Sequence, residues 1–114
     1  MTVRTFEAKL ERTIDGDTVV LRIDLGFRMT ATLPIRLLGI DCPERGTLAG
    51  SMASEFTRKW FFDHPRVKVE THKDPEKFGR WLGRVMGTDG DDLAEGLFMA
   101  GHAVHYDGGR RGTA

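Results

Sequence analysis

The chain cannot form an internal disulfide. Its 114 residues include one cysteine, Cys42, so stability has to come from packing. No apolar run approaches the roughly 20 residues of a membrane span. Residues 1–10 carry Arg4, Glu7 and Lys9 and lack the apolar stretch of a secretion leader. These absences lead to the expectation of a soluble, unsecreted, cytoplasmic protein. There is no excess of charge either: 17 basic and 17 acidic residues give a formal net charge of +0. Neutrality argues against strong non-specific coating of a polyanion, because that affinity comes from neutralising phosphates. It is compatible with a catalytic site that must release its products. His64, His72, His102 and His105 show no zinc-type spacing with Cys42 and read as structural or surface residues. Repeats and interdomain linkers are also missing. The length suits one domain, expected over residues 1–107, with a Gly- and Arg-rich flexible tail at 108–114.

What is present reads mostly as strand. Residues 3–12 alternate loosely. Asp15-Gly16 is a hairpin-type turn signal. In residues 17–25, Val19, Leu21, Ile23 and Leu25 share one face. Residues 28–40 read as a third strand, with Pro34 at a bulge or an unpaired edge position. Residues 47–63 change period. Leu48, Met52, Phe56 and Trp60 form a helical stripe, Ser51 caps the helix or lies in its first turn, and Pro65 ends it. Strands are expected at residues 66–72 and 80–87. Asp92-Leu93-Ala94-Glu95 has the form of a helix start, with Leu93, Leu97 and Ala100 facing inward and Gly101 as C-cap. A last short strand fits residues 103–106. The fold class is α+β and mostly β: a five-stranded OB-type barrel with two packed helices.

Three stretches carry chemistry. They are Ile14-Asp15-Gly16-Asp17-Thr18, Arg36-Leu37-Leu38-Gly39-Ile40-Asp41-Cys42-Pro43-Glu44 and Lys77-Phe78-Gly79-Arg80. Together they supply hard oxygen ligands, one carboxylate free to act as a base, and two guanidinium groups. A metal plus two arginines is what a doubly charged phosphorane-like transition state needs.

In this order and spacing the three motifs resemble the thermonuclease, or staphylococcal-nuclease-like, family. The Ser54-Glu55-Phe56-Thr57-Arg58-Lys59 segment and the Leu97-x-x-x-Gly101-x-Ala103 pattern are similar to the family's as well. The resemblance covers about residues 5–106. It implies a calcium-dependent endonuclease acting on DNA, with RNA left open. Water would attack phosphorus and the 5′-oxygen would leave, giving 3′-phosphate ends.

The implied roles fall on particular residues. Asp17 and Asp41 are metal ligands, joined by the backbone carbonyl of Cys42, where the family usually carries threonine. The cysteine adds a thiol beside the site, an oxidation or soft-metal liability. Glu44 is the general base or the group that positions water. Arg36 and Arg80 grip the scissile phosphate. Lys77, Phe78 and Tyr106 contact substrate; Phe78 keeps a stacking face but lacks the hydroxyl of the family's tyrosine. Trp60 reads as core. Residues 45–50 form a shorter loop than many relatives carry, the family's further C-terminal helix is not expected after Tyr106, and Ala94 replaces a polar residue. Two other readings are carried forward: a non-catalytic OB module that binds nucleic acid or protein, and a phosphodiesterase for a small nucleotide. A monomer is expected, with a phage or mobile element as a plausible setting.

Overall fold

The computed structural model describes residues 4–73, 80–107 and 110–111. In chain order the elements are β1 (Arg4–Asp15), β2 (Thr18–Gly26), β3 (Met29–Leu37), β4 (Ile40–Asp41), α1 (Leu48–Asp63), β5 (Val67–Lys73), β6 (Trp81–Gly87), α2 (Leu93–Met99), β7 (Val104–Asp107) and β8 (Arg110–Arg111). Five of the strands close a barrel in the order β1-β2-β3-β6-β5. All the barrel ladders are antiparallel except β3 on β6, which pair in parallel from Ile35↔Trp81 to Leu37↔Gly83. β1 is long enough to pair with both β2 and β5. Residues 4–8 pair with β5 and residues 8–15 with β2, and register shifts at Leu10/Arg12 and Thr13/Asp15 bend the β2-paired part. The expected five-stranded barrel with two helices is the observed fold.

Alternation decides which side chains fill it. Val19, Leu21 and Ile23 of β2, Ile35 and Leu37 of β3, Val67 and Val69 of β5 and Val85 of β6 are all buried. Leu25 falls on the same phase as the β2 set but is exposed, because β2 runs out past the barrel at that end. Pro34 is in register with Val20, and the ladder to β6 starts one residue later. The residue without an N–H therefore sits just outside that ladder, with no register shift beside it.

Helix α1 lies across β1 and carries one correction. Its buried residues are Gly50, Ala53, Thr57, Trp60 and Phe61. Of the expected stripe, Trp60 is buried and Phe56 half-buried, while Leu48 and Met52 are exposed. The inward face is set by small residues where the helix approaches the β1–β2 turn. A Cβ on Gly16 would lie 2.7 Å from the Cβ of Ala53. Thr47 is the N-cap, its hydroxyl accepting from the Gly50 N–H at 2.9 Å, and Ser51 lies in the first turn. Helix α2 starts as expected: Asp92 Oδ1 accepts from the Glu95 N–H. Leu93 and Leu97 are fully buried, but Ala100 is exposed rather than inward. Ala100 is already the C-cap, and Gly101 turns the chain away at φ +82°.

A small second sheet joins β4, β7 and β8. Ile40 pairs with His105 and Asp41 with Val104, and the Tyr106 N–H donates to the Gly39 carbonyl at 2.9 Å. Within the segment expected as a tail, Arg110–Arg111 pair with β7 as β8. No helix among the described residues is long and apolar enough to cross a membrane.

Candidate active site

Asp17 follows the β1–β2 turn, Arg36 lies near the end of β3 and Asp41 is in β4. Thr18 and Arg36 are register partners, so the start of β2 and the end of β3 meet at one end of the barrel. The Leu37 N–H donates to the Asp17 carbonyl at 2.8 Å and pins that junction. Gly16 is fastened to α1 by the Thr57 hydroxyl, which donates to the Gly16 carbonyl at 2.7 Å from a fully buried position. The turn that presents Asp17 is thereby held by helix, strand and core together.

Both carboxylates converge on one nitrogen. Arg36 Nη2 lies 3.0 Å from Asp41 Oδ1 and 3.7 Å from Asp17 Oδ2. Arg36 Nη1 donates to the carbonyls of Ile40, at 3.0 Å, and Leu37, at 3.3 Å. The guanidinium carbon sits 4.8 Å from the centroid of the Tyr106 ring, a cation–π contact. Arg36 is therefore fixed by a carboxylate, two carbonyls and a ring. Tyr106, expected as a substrate contact, lies under Arg36.

Asp17 is buried. The Cys42 N–H donates to its Oδ2 at 2.9 Å and the Thr18 hydroxyl to its Oδ1 at 3.2 Å. Burial pushes its pKa above the ordinary carboxylate value. The Cys42 N–H and the Arg36 charge pull the other way without cancelling the rise, and Asp41 adds to it. Burial, reinforced by Asp17 and Asp41, also pushes the Cys42 thiol up to about 12. The thiol is buried and stays protonated at neutral pH. A buried, protonated thiol is a poor nucleophile, which weighs against the expected oxidation liability.

Asp15 is the residue that sequence reasoning left without a role. Its Oδ1 is buried and has no hydrogen-bond partner, and its charge is felt at Cys42. The charges of Asp15, Asp17 and Asp41 all act on the Cys42 thiol, opposed by that of Arg36. The carboxylate donors are hard oxygens, and one of them, Asp15 Oδ1, is orphaned. That set suits a calcium-like cation. The available signal in the sequence was Asp15 itself, two residues before Asp17 in the same turn.

Glu44 is exposed on the turn leading into α1. Its carbonyl accepts from the Thr47 hydroxyl at 2.8 Å. A Cβ on Gly50 would sit 1.9 Å from that oxygen, so the glycine lets the turn fold against the helix. Arg80 is half-buried just before β6, two residues ahead of Leu82, the register partner of Arg36. Lys77 and Phe78 lie outside the described residues. A hollow of about 440 Å³ beside α1 is lined by Thr13, Ile14, Arg45, Ser54, Glu55 and Arg58, the last two paired with each other.

Residues 34–113 match the family described as Staphylococcal nuclease homologue. The chain belongs to this family. The matched stretch takes in Arg36, Asp41, Cys42, Glu44, Arg80 and Tyr106 and starts after Asp17, which the β2–β3 pairing brings to Arg36. Among curated proteins, a micrococcal nuclease of Shigella flexneri is 34% identical over 80 residues, 70% of this chain and 42% of that protein. An uncharacterized endonuclease of Escherichia coli O157:H7 is 25% identical over 99 residues, 87% of this chain and 60% of that protein. The chain therefore spans less than two thirds of either relative. Its Staphylococcal nuclease homologue barrel carries the carboxylate–arginine cluster at one end.

Proposed function

We propose that this domain is a metal-dependent endonuclease that hydrolyses phosphodiester bonds in DNA, with RNA as a second substrate and calcium as the metal. The single observation that carries the reading is the convergence of Asp17 and Asp41 on Arg36. Asp17, Asp41 and the Cys42 carbonyl would hold the cation, which when bound supplies Lewis-acid polarisation of a phosphate oxygen and charge neutralisation.

The chain's own residues perform the rest. Arg36 and Arg80 bind the non-bridging oxygens of the scissile phosphate and stabilise the charge that grows on them as water adds. The fixing of Arg36 by carbonyls and the Tyr106 ring removes reorganisation from that step. Glu44 orients the attacking water and takes its proton. Its exposed position leaves room for the water and the strand it attacks. The 5′-oxygen departs in line, leaving a 3′-phosphate. Lys77 and Phe78 contact the flanking nucleotide, and Arg45 and Arg58 border the hollow along which the strand continues. The domain acts as a monomer.

The test is cleavage of single-stranded and duplex DNA in calcium, magnesium or EDTA, with the ends of the products identified. Cleavage in calcium that leaves 3′-phosphates and stops in EDTA supports the reading. Binding of the strand by folded protein, with no turnover in any metal, would replace it with a non-catalytic OB module.

A further inference from the structure

A second cluster of ligating groups lies where α1 ends. His64 is the C-cap of α1, and its ring stacks on Trp60 with centroids 4.0 Å apart. His64 Nδ1 is 2.7 Å from the Trp60 carbonyl. A carbonyl only accepts, so Nδ1 carries the proton and the lone pair of the neutral ring sits on Nε2. That atom faces Asp89 Oδ2 at 3.1 Å and Asp91 Oδ2 at 3.3 Å. The three donor atoms lie within 4.8 Å of one another.

We propose that His64, Asp89 and Asp91 form a second metal site, one that takes a borderline transition-metal ion such as zinc. Four features support it. A tetrahedral ion with ordinary zinc bond lengths separates its nitrogen and oxygen donors by about 3.3 Å, the spacing found here. The bond from Nδ1 to a main-chain carbonyl is the arrangement that fixes tautomer and ring orientation in metal-bound histidines. Asp89 is also oriented: its Oδ1 accepts from the Asp91 N–H at 3.0 Å, which turns Oδ2 to the ring. Finally, the backbone makes room. A Cβ on Gly87 would lie 2.3 Å from His64 Cδ2 and 2.6 Å from Asp89 Oδ1, so a larger residue would push one or both side chains out of this arrangement.

The ligand chemistry differs from that of the Asp17–Asp41 cluster. One imidazole and two carboxylates, with water completing the shell, favour zinc, cobalt or nickel over calcium and magnesium. The ion would tie the end of α1 to the turn between β6 and α2. The same groups without an ion make a histidine–carboxylate ion pair, and a proton competes for the same lone pair.

The experiment uses untagged protein stripped with EDTA and desalted. Zinc chloride is titrated by calorimetry and cobalt(II) by visible absorption, on the wild type, Asp89→Asn, Asp91→Asn and Asp41→Asn, with circular dichroism confirming folding. Asp91 is exposed, so its variant keeps the fold even where Asp89→Asn does not. One equivalent of zinc in the wild type and in Asp41→Asn is expected, with a rise in melting temperature. Asp91→Asn is expected to lose at least about tenfold in affinity. It should also lose the cobalt spectrum while keeping its calcium-dependent nuclease rate. No saturable zinc binding in the wild type would overturn the proposal and leave an ion pair. Zinc affinity unchanged in Asp91→Asn, or lost in Asp41→Asn, would overturn it too.

Discussion

At the scale of single residues, Asp17 carries the tension of the site. Its carboxylate is buried for the sake of position, and the hydrogen bond and guanidinium beside it do not fully compensate. A carboxyl whose pKa rises on folding binds its proton more tightly in the folded state. Its contribution to stability is therefore complete below the unfolded value and is lost as pH rises through the raised one. In metal-free buffer at neutral pH, Asp17→Asn is expected to melt higher than the wild type, with the difference vanishing in acid and the calcium-induced stabilisation lost. Thermal melts across pH, with and without calcium, check this. Cys42 gives a second expectation. With its pKa near 12 and its side chain buried, the folded protein should resist thiol reagents at neutral pH and react once unfolded in guanidinium. That Asp17, Arg36 and Asp41 would come together was legible from the order and spacing of the three motifs, since either aspartate alone reads equally well as a turn residue. Tyr106 was named, but its contact with Arg36 was not, because that contact depends on a seven-residue-long helix and a strand returning β7 to β4.

At the scale of elements, α1 shows what periodicity misses. Reading its largest apolar residues as the buried stripe pointed to Leu48 and Met52, which are exposed. The buried stripe begins instead with Gly50 and Ala53, because the helix must come close to the β1–β2 turn and to the Glu44 carbonyl. Close approach selects small side chains, and hydropathy gives them little weight. Gly50→Ala should displace the Glu44 turn and lower both stability and cleavage rate. Thr47→Ala, which removes the cap, should cost about 1 kcal/mol of stability. Urea melts and rate measurements on the two variants check both expectations; Thr47→Ala also removes the hydroxyl that donates to the Glu44 carbonyl, so its rate should fall as well.

At the scale of the whole molecule, the barrel is a frame that brings the start of β2, the end of β3 and β4 to one end. The strands were legible because their alternation matches the barrel interior: Val19, Leu21 and Ile23 inside, Arg22 and Asp24 outside. The parallel closure of β3 on β6 was not, since pairing partners leave no mark in either strand's own pattern. The second helix docks through two fully buried leucines, and Leu97→Ala should cost about 2–5 kcal/mol in chemical denaturation. The central claim is that one end of this frame is a hydrolytic site with Glu44 as its base. Glu44 is exposed, so Glu44→Gln should fold and bind calcium as the wild type does. The most direct test is the calcium-dependent rate of DNA cleavage by the two proteins side by side. The account predicts a loss of about 100- to 10,000-fold in Glu44→Gln with an unchanged melting temperature. Equal rates would contradict it.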